Sequence, residues 1–209
     1  MTTLLHIIAS ARGELSHSRR AGQAMAQALL TQRPSLTLIE RDLGHRPVPH
    51  PDARFVEASL MPEDQRGDAQ HAALMLSETL IDELDAADFV VLSTPMHNFT
   101  VPSVLKAWLD HIVRPRRTFR ITAAGKIGLL RDRPVRVLLA CGGALGDAAA
   151  GQIDFATPYL RYVFATIGIT DLQVLPLENL NRGAGAQAVT QASFHAWLDG
   201  LSFCAGNGW

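Results

Sequence analysis

The sequence lacks several features that would assign a function directly. It has two cysteines, Cys141 and Cys204, in 209 residues, which is too few for a disulfide framework, and no CxxC pair. Its histidines are scattered without an HExxH pattern, so we predict no metal site. Neither GxGxxG nor GxxxxGK[ST] occurs, which excludes the usual dinucleotide loop and the P-loop. No apolar run approaches the roughly 20 residues that span a bilayer.

Net charge is also small, and this limits the classes of partner. The formal net charge is −1, so neither a nucleic acid nor a membrane surface is expected as a partner. Two runs are locally basic, Arg114–Arg117 and Arg131–Arg133. They are interpreted either as solvated loop charges or as groups that attract an anionic cosubstrate. The low cysteine content and the absence of a basic leader predict a cytoplasmic protein.

Short β-branched runs alternate with amphipathic segments along the whole chain. The predicted strands are Leu4–Ala9, Leu36–Ile39, Asp88–Leu92, Val135–Ala140 and Leu172–Leu175. The predicted helices are Ser18–Gln32, His71–Ala86, Val101–Ile112, Phe155–Ile167 and Ala184–Leu201, with a short helix at Ala53–Ser59 and a hairpin within residues 118–130. The pattern predicts an α/β fold in one domain, residues 1–209. Its core would be a five-stranded parallel doubly wound sheet of order 2-1-3-4-5, with helices on both faces.

A loop of mixed polarity, Ser93–Ser103, follows the third predicted strand. Ligands of open α/β sheets bind at the carboxyl ends of the strands, which is where this loop begins. Thr100 is the expected N-cap of the next helix, and Pro102 is expected in its first turn. An ordinary strand-to-helix turn would use the same residues as packing anchors, so this loop alone does not establish a binding site.

The loop after the first strand, Ser10–Arg20, offers hydroxyl groups, two arginines near its end and the start of a helix. Unpaired N–H groups and the positive end of the helix dipole suit a phosphate, to which Ser16 and Ser18 can add donors. In the simpler interpretation, one of these serines only caps the helix. The loop is too short to surround a pyrophosphate, so a phosphate monoester is expected.

A third loop, Cys141–Gly146, follows the fourth strand, and its Gly142-Gly143 pair allows close approach of the backbone to a ligand. Loops after strands one, three and four should therefore meet at one sheet edge. A phosphate site beside apolar residues suited to a flat ring indicates an FMN site. No GxSxG is present, and Cys141 has no evident base partner, so we interpret it as a loop thiol.

The sequence resembles the FMN-dependent NADH-azoreductases, which are also NADH:quinone oxidoreductases of flavodoxin-like fold. The resemblance covers nearly the whole chain. Its motifs are Ser10–Gly13, Ser16–Ser18, Pro95–Asp110, Thr118–Arg120, Gly125–Leu130, Gly142–Gly143, Tyr159–Leu160 and Gly168–Asp171.

The resemblance implies FMN as cofactor, NADH or NADPH as cosubstrate and a quinone or azo compound as acceptor. It also implies a homodimer with the flavin pocket at the interface. The implied phosphate contacts are Ser10, Ser16, His17 and Ser18; the ring contacts are Met96, His97, Asn98 and Phe99; the contacts at the opposite ring edge are Ala140, Cys141, Gly142 and Gly143. No side chain is expected to be catalytic: flavin N5 carries the hydride, and the backbone N–H groups of Asn98 and Phe99 orient it.

Two positions depart from the family pattern. His97 stands where the family commonly has Tyr, and Ala140-Cys141 stands where it commonly has Ser-Arg. These changes should alter substrate shape or nicotinamide preference rather than FMN binding. The cosubstrate remains open at this point, because Arg116, Arg117 and Arg120 are candidates for binding the 2′-phosphate of NADPH.

Two alternative functions are consistent with the same fold. A flavodoxin-like electron carrier without its own substrate usually docks through a strongly acidic face, which a net charge of −1 does not favour. A redox-responsive binding protein would change a partner contact with the state of the flavin or of Cys141, but the sequence contains no partner motif for this role.

Overall fold

A computed structural model describes residues 2–146 and 151–200 of the chain. Cys204 and the predicted end of the last helix at Leu201 lie outside these residues. The strands are β1 (Thr2–Ile8), β2 (Leu36–Asp42), β3 (Phe89–Pro95), β4 (Phe119–Thr122), β5 (Gly125–Gly128), β6 (Val135–Ala140) and β7 (Leu172–Leu177). The α-helices are α1 (His17–Gln32), α2 (Ala53–Leu60), α3 (Asp68–Ala86), α4 (Ser103–Ile112), α5 (Ala156–Thr166) and α6 (Ala184–Gly200).

Five of the strands form one parallel sheet in the order β2-β1-β3-β6-β7. The predicted five-stranded parallel sheet is therefore confirmed. Its order in chain numbering is 2-1-3-6-7 and differs in detail from the predicted 2-1-3-4-5. The difference arises because β4 and β5 form a separate antiparallel hairpin and lie between β3 and β6 in the chain.

Helices cover both faces of the sheet, because every strand alternates its side chains between two apolar layers. On β3, Val90 and Leu92 belong to the larger cluster, whereas Val91 belongs to the smaller one. The larger cluster includes apolar residues of α3, α4 and α5, and the smaller one includes residues of α1 and α6. With both faces covered by helices, the loops at the strand ends remain accessible to a ligand.

The start of α4 differs from the prediction. The helix begins at Ser103, and its N-cap is Pro102, which makes no side-chain capping bond. Thr100 is not the N-cap, because its backbone N–H and C=O are both hydrogen-bonded to His97 in a tight turn. The short predicted helix in the long connection after β2 is confirmed as α2, where the Asp52 carboxylate accepts a hydrogen bond from Phe55 N at 2.9 Å.

Two arginines of the first basic run join the loop after α4 to α3, whereas the third, Arg116, is exposed. Arg114 is buried; its guanidinium donates to Ser77 Oγ at 2.9 Å and pairs with Glu78. Arg117 donates from Nε to the same Glu78 at 2.9 Å and also pairs with Asp82. The buried Arg114 is therefore not a solvated loop charge, and Arg117 is already paired with two carboxylates.

In the second basic run, Arg133 is internal, whereas the Arg131 side chain is exposed. Arg133 is buried and donates to the carbonyl oxygens of Asp85 at 2.8 Å and Ala87 at 2.9 Å, at the carboxyl end of α3. Arg131 pairs with Asp88 at 2.9 Å. Both arginines precede β6, so they lie at the amino edge of the sheet, away from the loops predicted to bind a ligand.

Helix α1 lies against the sheet at Gly22. A Cβ at this position would be 1.7 Å from Ser93 Oγ and 2.4 Å from His6 Nε2. These two side chains are buried and hydrogen-bonded to each other at 2.8 Å. Burial and the nearby Arg19 lower the pKa of His6 to about 4, so the imidazole is neutral at ordinary pH. The absence of a side chain at Gly22 thus sets the distance between α1 and β3.

We predict that Gly22→Ala lowers the free energy of unfolding despite the better helix propensity of alanine. The propensity gain is about 1 kcal/mol in a helix interior. Overpacking of a buried site costs typically about 1–3 kcal/mol, and a 1.7 Å contact belongs at the upper end of this range. Urea unfolding measures the difference. Gln23→Ala, at an exposed position of the same helix, is the control and should stay within about 0.5 kcal/mol of the parent. A Gly22→Ala protein as stable as the parent would contradict this packing.

Candidate functional site

The loops at the carboxyl ends of β1, β3 and β6 meet around a cleft of about 200 Å³. Its lining residues are Ser10, Arg12, Ser16, His17, Ser18, Pro95, Met96, His97, Ala140, Cys141, Gly142, Leu180 and Asn181. Nine of the twelve site residues predicted from the sequence are among them. The other three, Asn98, Phe99 and Gly143, follow lining residues in the chain but do not line the cleft. The three loops therefore converge as predicted.

Ser16 and Ser18 place two hydroxyl groups at the start of α1. Ser16 is the N-cap, and its Oγ accepts a hydrogen bond from Arg19 N at 3.2 Å. Ser18 Oγ lies 3.2 Å from Ser16 Oγ, and both side chains are buried. The capping interpretation is therefore correct for Ser16. Ser18 is not needed as a cap, and within the described part of the chain its hydroxyl has Ser16 as its one hydrogen-bond partner.

His17 stands between these serines and is held by Arg20, whose Nη2 lies 3.0 Å from His17 Nδ1. A guanidinium can only donate, so Nδ1 accepts and the neutral ring carries its proton on Nε2. Partial burial, Arg20 and Arg12 all lower the pKa of His17. The ring thus remains neutral near pH 7 and keeps one N–H to offer. Arg12, which the sequence interpretation did not include in the site, adds a positive charge at the cleft.

The loop after β3 contains a strained two-residue turn. His97 and Thr100 exchange two backbone hydrogen bonds, at 2.9 and 3.0 Å, around Asn98 and Phe99. Both central residues have positive φ, 48° and 71°, as in the type I′ turns that usually contain glycine. For a bulky residue such as Phe99 this conformation is rare and costs on the order of 1–3 kcal/mol. Such strain is concentrated at functional sites.

The same turn presents unpaired hydrogen-bond donors. The backbone N–H groups of Asn98 and Phe99 bond to none of the described residues, and both side chains are exposed. Just before the turn, the Met96 N–H donates to the Ala140 carbonyl at 2.8 Å and so attaches the loop to β6. A fixed pair of amide donors thus lies beside the cleft.

The loop after β6 is attached to the segment that follows β7. Cys141 N donates to the Leu177 carbonyl at 2.8 Å, and the N–H groups of Leu180 and Asn181 donate to Cys141 and Gly142 at 3.1 and 3.0 Å. These bonds bring Leu180 and Asn181 into the cleft, where the sequence interpretation had placed neither. The available signal was the Asn179-Leu180-Asn181 run after the fifth sheet strand, at the same edge.

The Cys141 side chain points away from the cleft into the apolar core. It is fully buried, and its Sγ contacts the Leu139 carbonyl at 3.6 Å. Burial, together with Asp154 and Glu178, raises the pKa of the thiol to about 12. Because the thiolate is the reactive form of cysteine, the Cys141 thiol is not a candidate nucleophile. The redox-responsive alternative based on Cys141 loses its physical basis.

The three arginines considered for a 2′-phosphate are placed differently. Arg117 is paired with α3 as described above, and Arg116 donates to the carbonyl of Met61 at 3.2 Å. Arg120 is exposed on β4 and has no hydrogen-bond partner among the described residues. At most one of them is thus free to bind a nucleotide phosphate.

Within residues 2–146 and 151–200, no group of three or more His, Cys, Asp or Glu side chains is arranged to hold a metal ion. Over the same residues, no helix has the length and apolar character needed to span a bilayer.

Comparisons with known proteins give consistent results. A family profile described as a flavodoxin-like fold matches residues 2–201. The chain is 53% identical over 205 residues to FMN-dependent NADH:quinone oxidoreductase 2 of Cupriavidus pinatubonensis, covering 98% of this chain and 100% of that protein. It is 43% identical over 190 residues to FMN-dependent NADH:quinone oxidoreductase 4 of Pseudomonas fluorescens, covering 91% and 90% of the two chains.

A solved structure supports the fold. An FMN-dependent NADH-azoreductase from Bacillus anthracis, in complex with FMN, aligns with a TM-score of 0.83 over 97% of this chain and 100% of that one. The sequence identity is 22%, so this likeness speaks for the fold alone.

Proposed function

Because the chain belongs to the FMN-dependent NADH:quinone oxidoreductases of flavodoxin-like fold, we propose that it carries electrons from NADH to quinones or azo compounds at the cleft described above. The observation that carries the proposal is the meeting of hydroxyl donors, strained amide donors and apolar side chains in one cleft. We place the reaction in the cytoplasm, where NADH is produced and thiols stay reduced.

The residues at the first loop fit a phosphate monoester. The hydroxyls of Ser16 and Ser18 lie side by side at the start of a 16-residue helix, whose first N–H groups and dipole favour an anion. His17 offers Nε2–H, and Arg12 adds a positive charge. No carboxylate is among the cleft-lining residues. We assign Ser10, Ser16, His17 and Ser18 to the phosphate.

The other two loops fit a flat heterocyclic ring. Met96 and Leu180 provide apolar surface, and Asn181 provides an amide side chain. The unpaired N–H groups of Asn98 and Phe99 are donors suited to the ring edge that carries acceptor atoms. We assign Met96, His97, Asn98 and Phe99 to this edge and the backbone of residues 140–143 to the opposite one.

When bound, FMN supplies the hydride chemistry, accepting from NADH and donating to the acceptor. The protein binds and orients the flavin. The Asn98-Phe99 turn is rigid because its flanking residues are hydrogen-bonded twice, so its donors need no rearrangement during the reaction. The serine hydroxyls would hold the phosphate. Neither role requires a general base.

We also propose that the protein is a homodimer whose second copy completes the cleft. The cleft of about 200 Å³ is smaller than the roughly 300–1,000 Å³ typical of small-molecule sites. Apolar side chains are exposed at the Asn98-Phe99 turn and nearby, with Phe99 51%, Phe155 55% and Ile153 63% accessible. Phe155 N donates to the Phe99 carbonyl at 3.2 Å, so Phe155 and the turn are adjacent.

Sedimentation velocity of the FMN-loaded protein tests this assembly. A dimer should persist from micromolar to nanomolar concentration, and activity per chain should fall where the dimer dissociates. A monomer that keeps full FMN content and activity at nanomolar concentration would contradict the shared cleft.

The proposed activity predicts ping-pong kinetics, because one cleft serves both substrates in turn. Anaerobic addition of NADH should bleach the flavin absorbance of the holoprotein, and a quinone should restore it. Double-reciprocal plots against NADH at several quinone concentrations should be parallel. Intersecting lines would show that both substrates bind together. Flavin that NADH does not bleach would instead favour the electron-carrier alternative.

Replacing Ser16 and Ser18 together by Ala should weaken FMN binding and leave turnover at saturating FMN nearly unchanged. A hydrogen bond to a charged group contributes roughly 1.5–3 kcal/mol, and losing one corresponds to a Kd about tenfold to hundredfold higher. The helix amides remain, so binding is reduced and not abolished. Fluorescence titration measures Kd. The control is Ser59→Ala, a buried serine of α2 outside the cleft. An unchanged Kd in the double variant would leave these serines with only a capping role.

A further inference from the structure

Arg19 lies buried beneath the loop Ser10–Ser16, with 4% of its surface exposed. Its Nη1 donates to Asp42 Oδ2 at 2.7 Å, and its Nη2 donates to Asp42 Oδ1 at 3.0 Å and to the Ser10 carbonyl at 3.3 Å. Its backbone N–H meets the Ser16 hydroxyl at 3.2 Å. One residue therefore contacts both ends of this loop.

Asp42, at the end of β2, is bonded on several sides. Besides Arg19, its carboxylate accepts from the backbone N–H groups of Gly44 and His45, both at 3.1 Å, and lies 2.7 Å from His45 Nδ1. Partial burial alone would raise the pKa of Asp42, but the hydrogen bonds from Arg19 and His45 outweigh it and lower this pKa to about 2. The carboxylate is thus ionised, and the pair with Arg19 intact, at any ordinary pH.

The loop after β2 is pressed against the loop after β1. A Cβ at Gly44 would lie 2.1 Å from the Ser10 carbonyl oxygen, so only glycine permits this contact. Leu43 N also donates to the Ile8 carbonyl at 2.8 Å, just before the loop begins. The Asp42–His45 segment is therefore a support on which the Ser10–Ser16 loop rests, and Arg19 joins the two.

We propose that Arg19 and Asp42 form a positioning pair that holds the Ser10–Ser16 loop ready for the FMN phosphate before FMN arrives. The inference rests on the proposed function. Arg19 does not line the cleft, and its bonds run inward to Asp42 and Ser10, so it acts through the loop. A loop that is already ordered loses less entropy when the phosphate binds, which tightens binding without any added contact. A bidentate Arg–carboxylate pair has the fixed geometry that this task requires.

Arg19→Gln should therefore raise the Kd for FMN by about tenfold or more, while kcat at saturating FMN stays within about twofold of the parent. In the FMN-free protein, hydrogen exchange of the amides of residues 11–16 should become faster. Arg19→Lys keeps the charge but loses the fork geometry, so it should restore affinity only in part. Asp42→Asn should resemble Arg19→Gln, and the double variant should be little worse than either single one, because both remove the same pair.

Arg41→Gln is the matched control. Arg41 neighbours Asp42 on β2, points to the other face of the sheet and pairs with Glu83 of α3, with Nε to Oε2 at 3.0 Å. Its loss removes an ion pair of similar kind and should lower stability without changing the FMN Kd or the exchange of residues 11–16. If Arg41→Gln and Arg19→Gln raise Kd equally, Arg19 acts only on general stability, and the inference is overturned.

The remaining outcomes separate the two proposals. Should Arg19→Gln fail to fold, Arg19→Lys carries the test, and a folded Lys variant with the parent's Kd would refute the positioning role. An Arg19→Gln protein with unchanged Kd and unchanged exchange would refute it as well. If the parent protein itself binds no FMN, the proposed function fails, whereas faster exchange of residues 11–16 in the variants would still show that the pair orders the loop.

Discussion

The covering of both sheet faces by helices is the constraint on which the rest of this structure depends. In a parallel sheet with two buried faces, the carboxyl ends of the strands all lie at one edge, where their loops are accessible to a ligand. In this chain, the loops after β1, β3 and β6 and the segment after β7 meet at that edge. Gly22 lets α1 lie close enough to β3 for the start of the helix to reach the same edge. The packing of the core therefore also determines where the site lies.

Backbone hydrogen bonds hold the loops around the cleft in place. Among the described residues, the N–H groups of Asn98 and Phe99 have no partner, whereas the main chain of Cys141 and Gly142 is hydrogen-bonded to the segment 177–181. His97, where the family commonly has Tyr, and Ala140-Cys141, where it commonly has Ser-Arg, change side chains around a framework that is fixed by hydrogen bonds. Conformational strain at Phe99 is sustained because His97 and Thr100 close the turn from both sides.

Local sequence patterns predicted the features that depend on residues close together in the chain. The β-branched runs identified the sheet strands, and the spacing of Ser10, Ser16 and Ser18 identified a loop that lies in the cleft. The same patterns did not predict contacts between residues that are far apart in the chain. The partners of Arg114 and Arg117 are on α3, more than thirty residues earlier in the chain, so a basic run appeared free when it was paired. Asn181 is held at the cleft by a hydrogen bond from its N–H to the Gly142 carbonyl. Thr100 is not the N-cap of α4, because its backbone is hydrogen-bonded to His97. None of these contacts leaves a periodic trace in the sequence.

The burial of the Cys141 thiol bears on whether quinone substrates can inactivate the protein by alkylating it. Quinones are electrophiles that add to thiolates, and a thiol in the wall of a quinone site would be the first group to be alkylated. Burial raises the pKa of the Cys141 thiol to about 12, so the thiolate is very sparsely populated near pH 7. The sulfur is also fully buried behind its own backbone. The chain can therefore carry a cysteine at the edge of its cleft and still resist self-inactivation by the compounds it reduces.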